Sequence, residues 1–223
     1  MSAFIVAVDG PAGSGKSSVS KLAAKQLGFD YLDTGAAYRA VTWHVLDRGV
    51  DPSDSDAVVA ALPSFDYAIG TDPDNYFVRV GGTDVTDAIR EQRVASTVSL
   101  IARVPAVREH VNAIFKSIMS SCPKPGIIAE GRDITTVVAP EAPVRILLTA
   151  SEEKRAERRA AEIPAAGTTD THAALKARDS ADSKVSDFLV AADGVHTVDS
   201  TNLDLAQTID AVVALIKQGQ THG

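Results

Sequence analysis

The chain has 223 residues, 45% of them hydrophobic, and a formal net charge of −7 with no run of lysines or arginines. That length and apolar content suit one domain with insertions, and the charge argues against a sequence-nonspecific grip on nucleic acid. Cys122 is the only cysteine, which excludes an internal disulfide and fits a reducing cytoplasm.

The opening run Phe4-Ile-Val-Ala-Val8 reads as a buried strand, too short and too soon interrupted by Asp9 for a signal peptide or a membrane span. Gly10-Pro11-Ala12-Gly13-Ser14-Gly15-Lys16-Ser17 follows, and Ser17 to Leu27 carries helical periodicity that stops at Gly28. This G-x-x-x-x-G-K-S lies between a strand and a helix. There the glycines let the backbone fold around an anion, and the amides at the helix start aim at a phosphate. Lys16 would reach the β- and γ-phosphates, and the Ser17 hydroxyl would ligate a magnesium ion.

Phe29 to Asp33 reads as a second strand, Thr34-Gly35 as a turn, and a helix is expected from Ala36 to Asp47, stopped by Gly49. Ser53 or Asp54 could cap a brief helix ending near Leu62. From Phe65 to Asp87 short alternating runs (65–69, 76–80 and 84–86) lie between turn residues, with Gly81-Gly82 as a hairpin turn. This small antiparallel β insertion either carries the substrate side of a site or decorates the surface.

Helices are expected at 94–102 and 105–121, with Pro105 at a first helical position, then core strands at 127–129 and 144–149. Ser151 reads as the N-cap of a helix to Ile163, followed by a loop at 164–171 and a polar helix at 173–184. Val195 to Asp199 is the last strand. Asp204-Leu-Ala-Gln207 then forms a capping box for a helix whose inward face is Leu205, Ile209, Val212, Val213 and Ile216.

The predicted fold is therefore α/β: five mainly parallel strands flanked by helices, with nucleotide expected at the carboxyl ends of the strands. Three of those ends carry unusual polar content, Asp9-Gly10, Asp33-Thr34-Gly35 and Glu130-Gly131-Arg132-Asp133. That coincidence points to one nucleotide cleft.

The chain resembles the bacterial-type cytidylate kinases, a P-loop nucleoside monophosphate kinase family, along nearly its whole length. The residues that carry the likeness are Gly10 to Ser18, Leu32-Asp-Thr-Gly-Ala-Ala-Tyr-Arg39, Glu130-Gly-Arg-Asp-Ile134 with Thr136-Val-Val138, Arg178-Asp179 and Asp182-Ser183. The resemblance implies a single P-loop kinase domain with its core at about 1–62, 103–150 and 190–223. The acceptor-binding insertion falls at about 63–102 and a short helical lid at about 151–187.

It further implies that ATP donates its γ-phosphate to CMP or dCMP with Mg2+ as cofactor, ATP being held by Gly10 to Ser18 and magnesium by Ser17. The acceptor is already an anionic phosphate oxygen, so alignment and charge cancellation replace a strong general base. Lys16 serves the donor, and Arg39 and Arg132 carry over as ligands of the acceptor phosphate, whose oxygens suit the guanidinium fork. Asp133 carries over as acceptor for the cytosine N4 amino group, where uracil would present a repelling oxygen. Thr34, Ser99 and Arg108 match the pocket around the base, and Arg178 and Asp182 match residues that hold the sugar.

Arg155, Arg158 and Arg159 lie on the helix before the loop that looks like the family's lid. They either attend the phosphates of ATP or form a solvated helix face. Asp33 and Glu130 either order the magnesium shell through water or orient a neighbouring arginine. After Ser183 the chain departs from the family, with Lys184-Val185 and Phe188-Leu189 where many members have an arginine and then Ser-Pro-Leu. The β insertion and the Gly-Arg-Asp run argue against an adenylate or uridylate kinase. An Asn-Lys-x-Asp run, which would suggest a guanine-nucleotide switch, is lacking. With no evident greasy stripe the chain is expected to be a monomer, with no nucleic acid or membrane partner.

Overall fold

A computed structural model describes residues 3–162, 179–180 and 188–222. In chain order its first elements are β1 (Phe4–Asp9), α1 (Lys16–Leu27), β2 (Asp30–Asp33), α2 (Thr34–Asp47), α3 (Ser55–Ala61), β3 (Tyr67–Ile69), β4 (Val78–Val80) and β5 (Thr83–Asp84). They are followed by α4 (Gln92–Ala95), α5 (Val98–Ala102), α6 (Pro105–Ser120), β6 (Gly126–Gly131), β7 (Val144–Thr149), α7 (Glu152–Glu162), β8 (His196–Asp199) and α8 (Leu205–His222). The predicted loop at 164–171 and most of the predicted helix at 173–184, with Arg178, Asp182, Lys184 and Val185, lie outside the described residues.

Two compact units make up the chain, Met1–Leu32 with Cys122–Gly223, and Asp33–Ser121. The first is built on a five-stranded sheet in the order β2-β6-β1-β7-β8, with β1 parallel to both β6 and β7, and β8 parallel to β7. Central strands covered on both faces need unbroken apolar runs, and Val6, Ala7, Val8, Ile127, Ile128 and Ala129 are fully buried. Gly126 opens β6 because a Cβ there would lie 2.4 Å from the Phe29 ring.

Helix α1 ends at Gly28, whose φ of +67° is the left-handed conformation that closes a helix cheaply when no Cβ is present. It packs on α8. The capping box forms as expected, the Asp204 amide donating to Gln207 Oε1 at 3.0 Å and the Gln207 amide to Asp204 Oδ1 at 2.8 Å. The inward face of α8 holds at Val212, Val213 and Ile216, but Leu205 is half exposed. It sits in the first turn, beside the cap.

In the second unit β3, β4 and β5 form an antiparallel sheet. Val80 pairs with Thr83, so Gly81-Gly82 is a two-residue turn, and φ values of +56° and +80° are those of a type I′ hairpin. Helix α2 starts two residues earlier than expected, at Thr34, because Asp33 caps it by accepting the Ala36 amide at 2.9 Å. The helix expected at 94–102 is divided into α4 and α5. Ser96 and Thr97 hydroxyls at the break donate to the Gln92 and Arg93 carbonyls, both at 2.8 Å, offering the chain bonds that compete with a continuous helix. In α6, Val107, Val111, Phe115 and Met119 recur every four residues and are buried.

Candidate active site

The loop from Gly10 to Lys16 joins β1 to α1. A Cβ at Gly10 would fall 2.0 Å from the Leu148 carbonyl of β7, so only glycine lets the loop leave the sheet here. Gly15 is the N-cap of α1 and supplies no side-chain acceptor, which leaves the amides at the helix start to face an anion. Lys16 is buried, and its ammonium donates to the Pro11 carbonyl at 3.0 Å, across the loop. The Ser14 hydroxyl is buried with no partner among the described residues, a polar atom that a phosphate oxygen would satisfy.

Glu130, at the end of β6, is buried, and its Oε1 accepts the Ser17 hydroxyl at 2.6 Å and the Tyr31 hydroxyl at 3.2 Å. A hydroxyl that donates to a carboxylate turns its lone pairs outward. Ser17 and Glu130 together offer hard oxygen ligands, the chemistry magnesium prefers. The Ser17 contact is neither of the two roles weighed for Glu130 from the sequence.

Arg132 NH1 donates to the Gly10 carbonyl at 2.6 Å, and its guanidinium lies 4.8 Å from the centre of the Phe188 ring. Phe188, one of the departures from the family pattern, therefore supports the arginine. Asp133 is buried at the start of a π-helical turn over Ile134–Val138. This turn was not expected from the sequence. Asp9 holds it, Oδ1 accepting the Ile134 amide at 3.0 Å and Oδ2 the Thr135 amide at 2.8 Å and hydroxyl at 2.7 Å.

The three arginines of α7 differ. Arg155 is buried and donates to the Ala12 carbonyl at 3.0 Å and to the carboxylate of Asp179, whose Oδ1 accepts the Ala12 amide at 3.0 Å. Arg158 donates to the Ser14 carbonyl at 3.0 Å, the Ser200 hydroxyl at 2.9 Å and the Ser200 carbonyl at 2.8 Å, tying the loop to the end of β8. Arg159 is half-buried. Arg155 and Arg158 thus grip the backbone of the loop itself, an arrangement that a row of arginines on a polar helix does not disclose.

Among the sequence-predicted residues Thr34, Arg39, Ser99 and Arg108 belong to the second unit. Arg39 NH2 meets Asp33 Oδ2 at 2.8 Å, and the Tyr76 hydroxyl donates to the same oxygen at 3.4 Å. Asp33 therefore orients the arginine while capping α2. The Tyr67 hydroxyl is buried with no partner among the described residues, and burial, reinforced by the Asp33 charge, pushes its ionisation well above the usual tyrosine range. Thr34 is buried in the first turn of α2, and Ser99 on α5 and Arg108 on α6 are half-buried. Tyr67 and Tyr76 lie in the predicted β insertion, but nothing in their spacing singles them out.

The model of the family described as cytidylate kinase matches residues 6–218. The chain belongs to the cytidylate kinase family. It is 45% identical to the cytidylate kinase of Streptomyces avermitilis, over 97% of this chain and 94% of the relative. To that of Streptomyces coelicolor it is 47% identical, again over 97% of this chain and 94% of the relative. A solved structure from Eubacterium ventriosum shares the fold, with a TM-score of 0.53 at 9% identity, covering 96% of this chain and 98% of that one. As a cytidylate kinase the chain is a nucleoside monophosphate kinase, with ATP as the phosphate donor.

Proposed function

We propose that this chain transfers the γ-phosphate of ATP to CMP or dCMP, giving ADP and the diphosphate, as a cytoplasmic monomer of pyrimidine nucleotide metabolism. The observation that carries the reading is Lys16 in its glycine loop, with Ser17 bonded to Glu130, in a chain that matches the cytidylate kinase model over 6–218. Among the described residues no helix is long and apolar enough to cross a membrane.

The acceptor phosphate needs no general base, so the residues have two tasks: to align the reacting oxygens and to offset charge as the phosphoryl group moves. Residues Gly10 to Ser18 bind the triphosphate, with Lys16 on its β- and γ-phosphates. Ser17 would hold magnesium directly and Glu130 would hold Ser17; magnesium, when bound, supplies charge neutralisation at the β- and γ-phosphates. Arg39 and Arg132 bind the acceptor phosphate, each pre-set by a partner, Asp33 for Arg39 and the Gly10 carbonyl for Arg132. Asp133 accepts from the cytosine amino group, with Thr34, Ser99 and Arg108 around the base and Arg178 and Asp182 on the sugar. Arg158 and Arg159 join the ATP site, Arg158 through the Ser14 carbonyl that it holds. The insertion at about 63–102 serves the acceptor and the segment at about 151–187 serves as the lid.

Incubating the chain with ATP, Mg2+ and each of CMP, dCMP, UMP and AMP, and counting diphosphate products, tests this reading. CMP and dCMP should be the best acceptors. Faster phosphorylation of AMP than of CMP would refute it.

A further inference from the structure

Asp9 ends β1 immediately before the glycine loop, yet neither of its oxygens serves that loop. The residue is 2% exposed, and both carboxylate oxygens are committed to residues 134 and 135, accepting two amides and one hydroxyl at 2.7 to 3.0 Å. Arg132 reaches the opposite way, to the Gly10 carbonyl at 2.6 Å. In the sheet register Asp9 stands opposite Gly131. The two segments are therefore cross-braced: residue 9 holds 134 and 135, residue 132 holds 10, and Asp133 lies between the two braces.

The brace accounts for an irregular backbone. Residues 134–138 read Ile-Thr-Thr-Val-Val, a composition that favours a strand, but they form a π-helical turn in which the Val137 and Val138 amides both donate to the Asp133 carbonyl, at 2.9 and 3.1 Å. Turning the chain here leaves the Ile134 and Thr135 amides without a ladder partner in the sheet. A buried amide must be paired, and the Asp9 carboxylate pairs both. Only a carboxylate suits this position, because it accepts at both oxygens. Asparagine would turn an NH2 group toward a donor.

We propose that Asp9 is a positioning residue for base selection, holding from β1 the turn that presents Asp133. The inference rests on the reading that Asp133 recognises the cytosine amino group, and it adds where that recognition is enforced. A carboxylate discriminates between an amino group and a carbonyl oxygen only while it is held at the base edge. Loosening the turn lets Asp133 relax toward water and the discrimination decays, whatever happens to the rest of the site.

The test is the ratio of kcat/KM for CMP to that for UMP, measured with ATP and Mg2+ on the full chain for wild type, Asp9→Asn, Thr135→Val and Thr135→Ser, each checked by thermal melting. Losing a buried charge-assisted hydrogen bond sets the scale, and Asp9→Asn should lower the ratio by about tenfold or more. Thr135→Val removes one bond and should lower it by a smaller factor. Thr135→Ser keeps the hydroxyl and should restore it. A general loss of structure would depress both acceptors together and leave the ratio where it was. If Asp9→Asn does not fold, the Thr135 pair decides. Folded variants that keep the wild-type ratio overturn the role of Asp9 alone, whereas a wild-type chain with no preference for CMP overturns the reading of Asp133 and this inference with it.

Discussion

Asp179→Ala probes the support of the glycine loop from outside the loop. The Asp179 and Arg155 side chains are 10% and 9% exposed, so the pair is largely out of water, and both partners also bond Ala12, one at its amide and one at its carbonyl. Truncation leaves the guanidinium buried with the Ala12 carbonyl, and Arg155 Nε already has no partner among the described residues. Removing one member of such a pair costs about 3–5 kcal/mol, most of it the uncompensated charge. For a chain of this length that corresponds to a fall in melting temperature on the order of 6–20 °C. Circular dichroism melts and steady-state KM for ATP are the assays, and KM for ATP should rise because Ala12 lies in the loop. Removing both charges in Arg155→Met with Asp179→Leu should cost less than Asp179→Ala alone. A melting shift within about 1 °C for Asp179→Ala, or a double variant less stable than the single one, would refute the reasoning.

Burial lowers the pKa of His44, with nearby Arg48 adding to it and the Ala61 carbonyl and Asp47 opposing it, so the unfolded chain protonates first as pH falls. Stability should therefore be level above the usual histidine pKa of about 6.5 and decline below it, and denaturant melts of His44→Gln should lose that component of the decline. Gly126→Ala places a methyl 2.4 Å from the Phe29 ring and should destabilise by about 1–3 kcal/mol in urea titrations, a loss that Phe29→Leu in the same chain should reduce. Glu130→Gln should raise the magnesium concentration needed for half-maximal activity by about tenfold and weaken Mn2+ binding to the ATP-loaded chain, read by electron paramagnetic resonance. Unchanged values would remove Glu130 from the support of Ser17.

What could be read in advance follows from how local each cause is. The strand expected at Phe4 to Val8, which runs one residue further to Asp9, the stop at Gly28, the Gly81-Gly82 hairpin and the Asp204–Gln207 box each depend on residues within a few positions of one another. The division between α4 and α5 depends on hydroxyls at Ser96 and Thr97 whose choice of partner composition does not reveal. The turn at 134–138 depends on Asp9, 125 positions away, and could not be inferred from a stretch that looks like a strand. The same holds around the loop. Glycine spacing marks a candidate phosphate loop, while the difference between Arg155, Arg158 and Arg159 lies in burial and in partners tens of residues distant.

The most direct measurement is the kcat/KM of wild type and Asp133→Ala for CMP and UMP under identical ATP and Mg2+. A wild-type preference for CMP worth about 1–3 kcal/mol, largely abolished in the variant, is the predicted result. A variant that folds and keeps the full preference for CMP, or a wild type that favours UMP, would contradict the assignment.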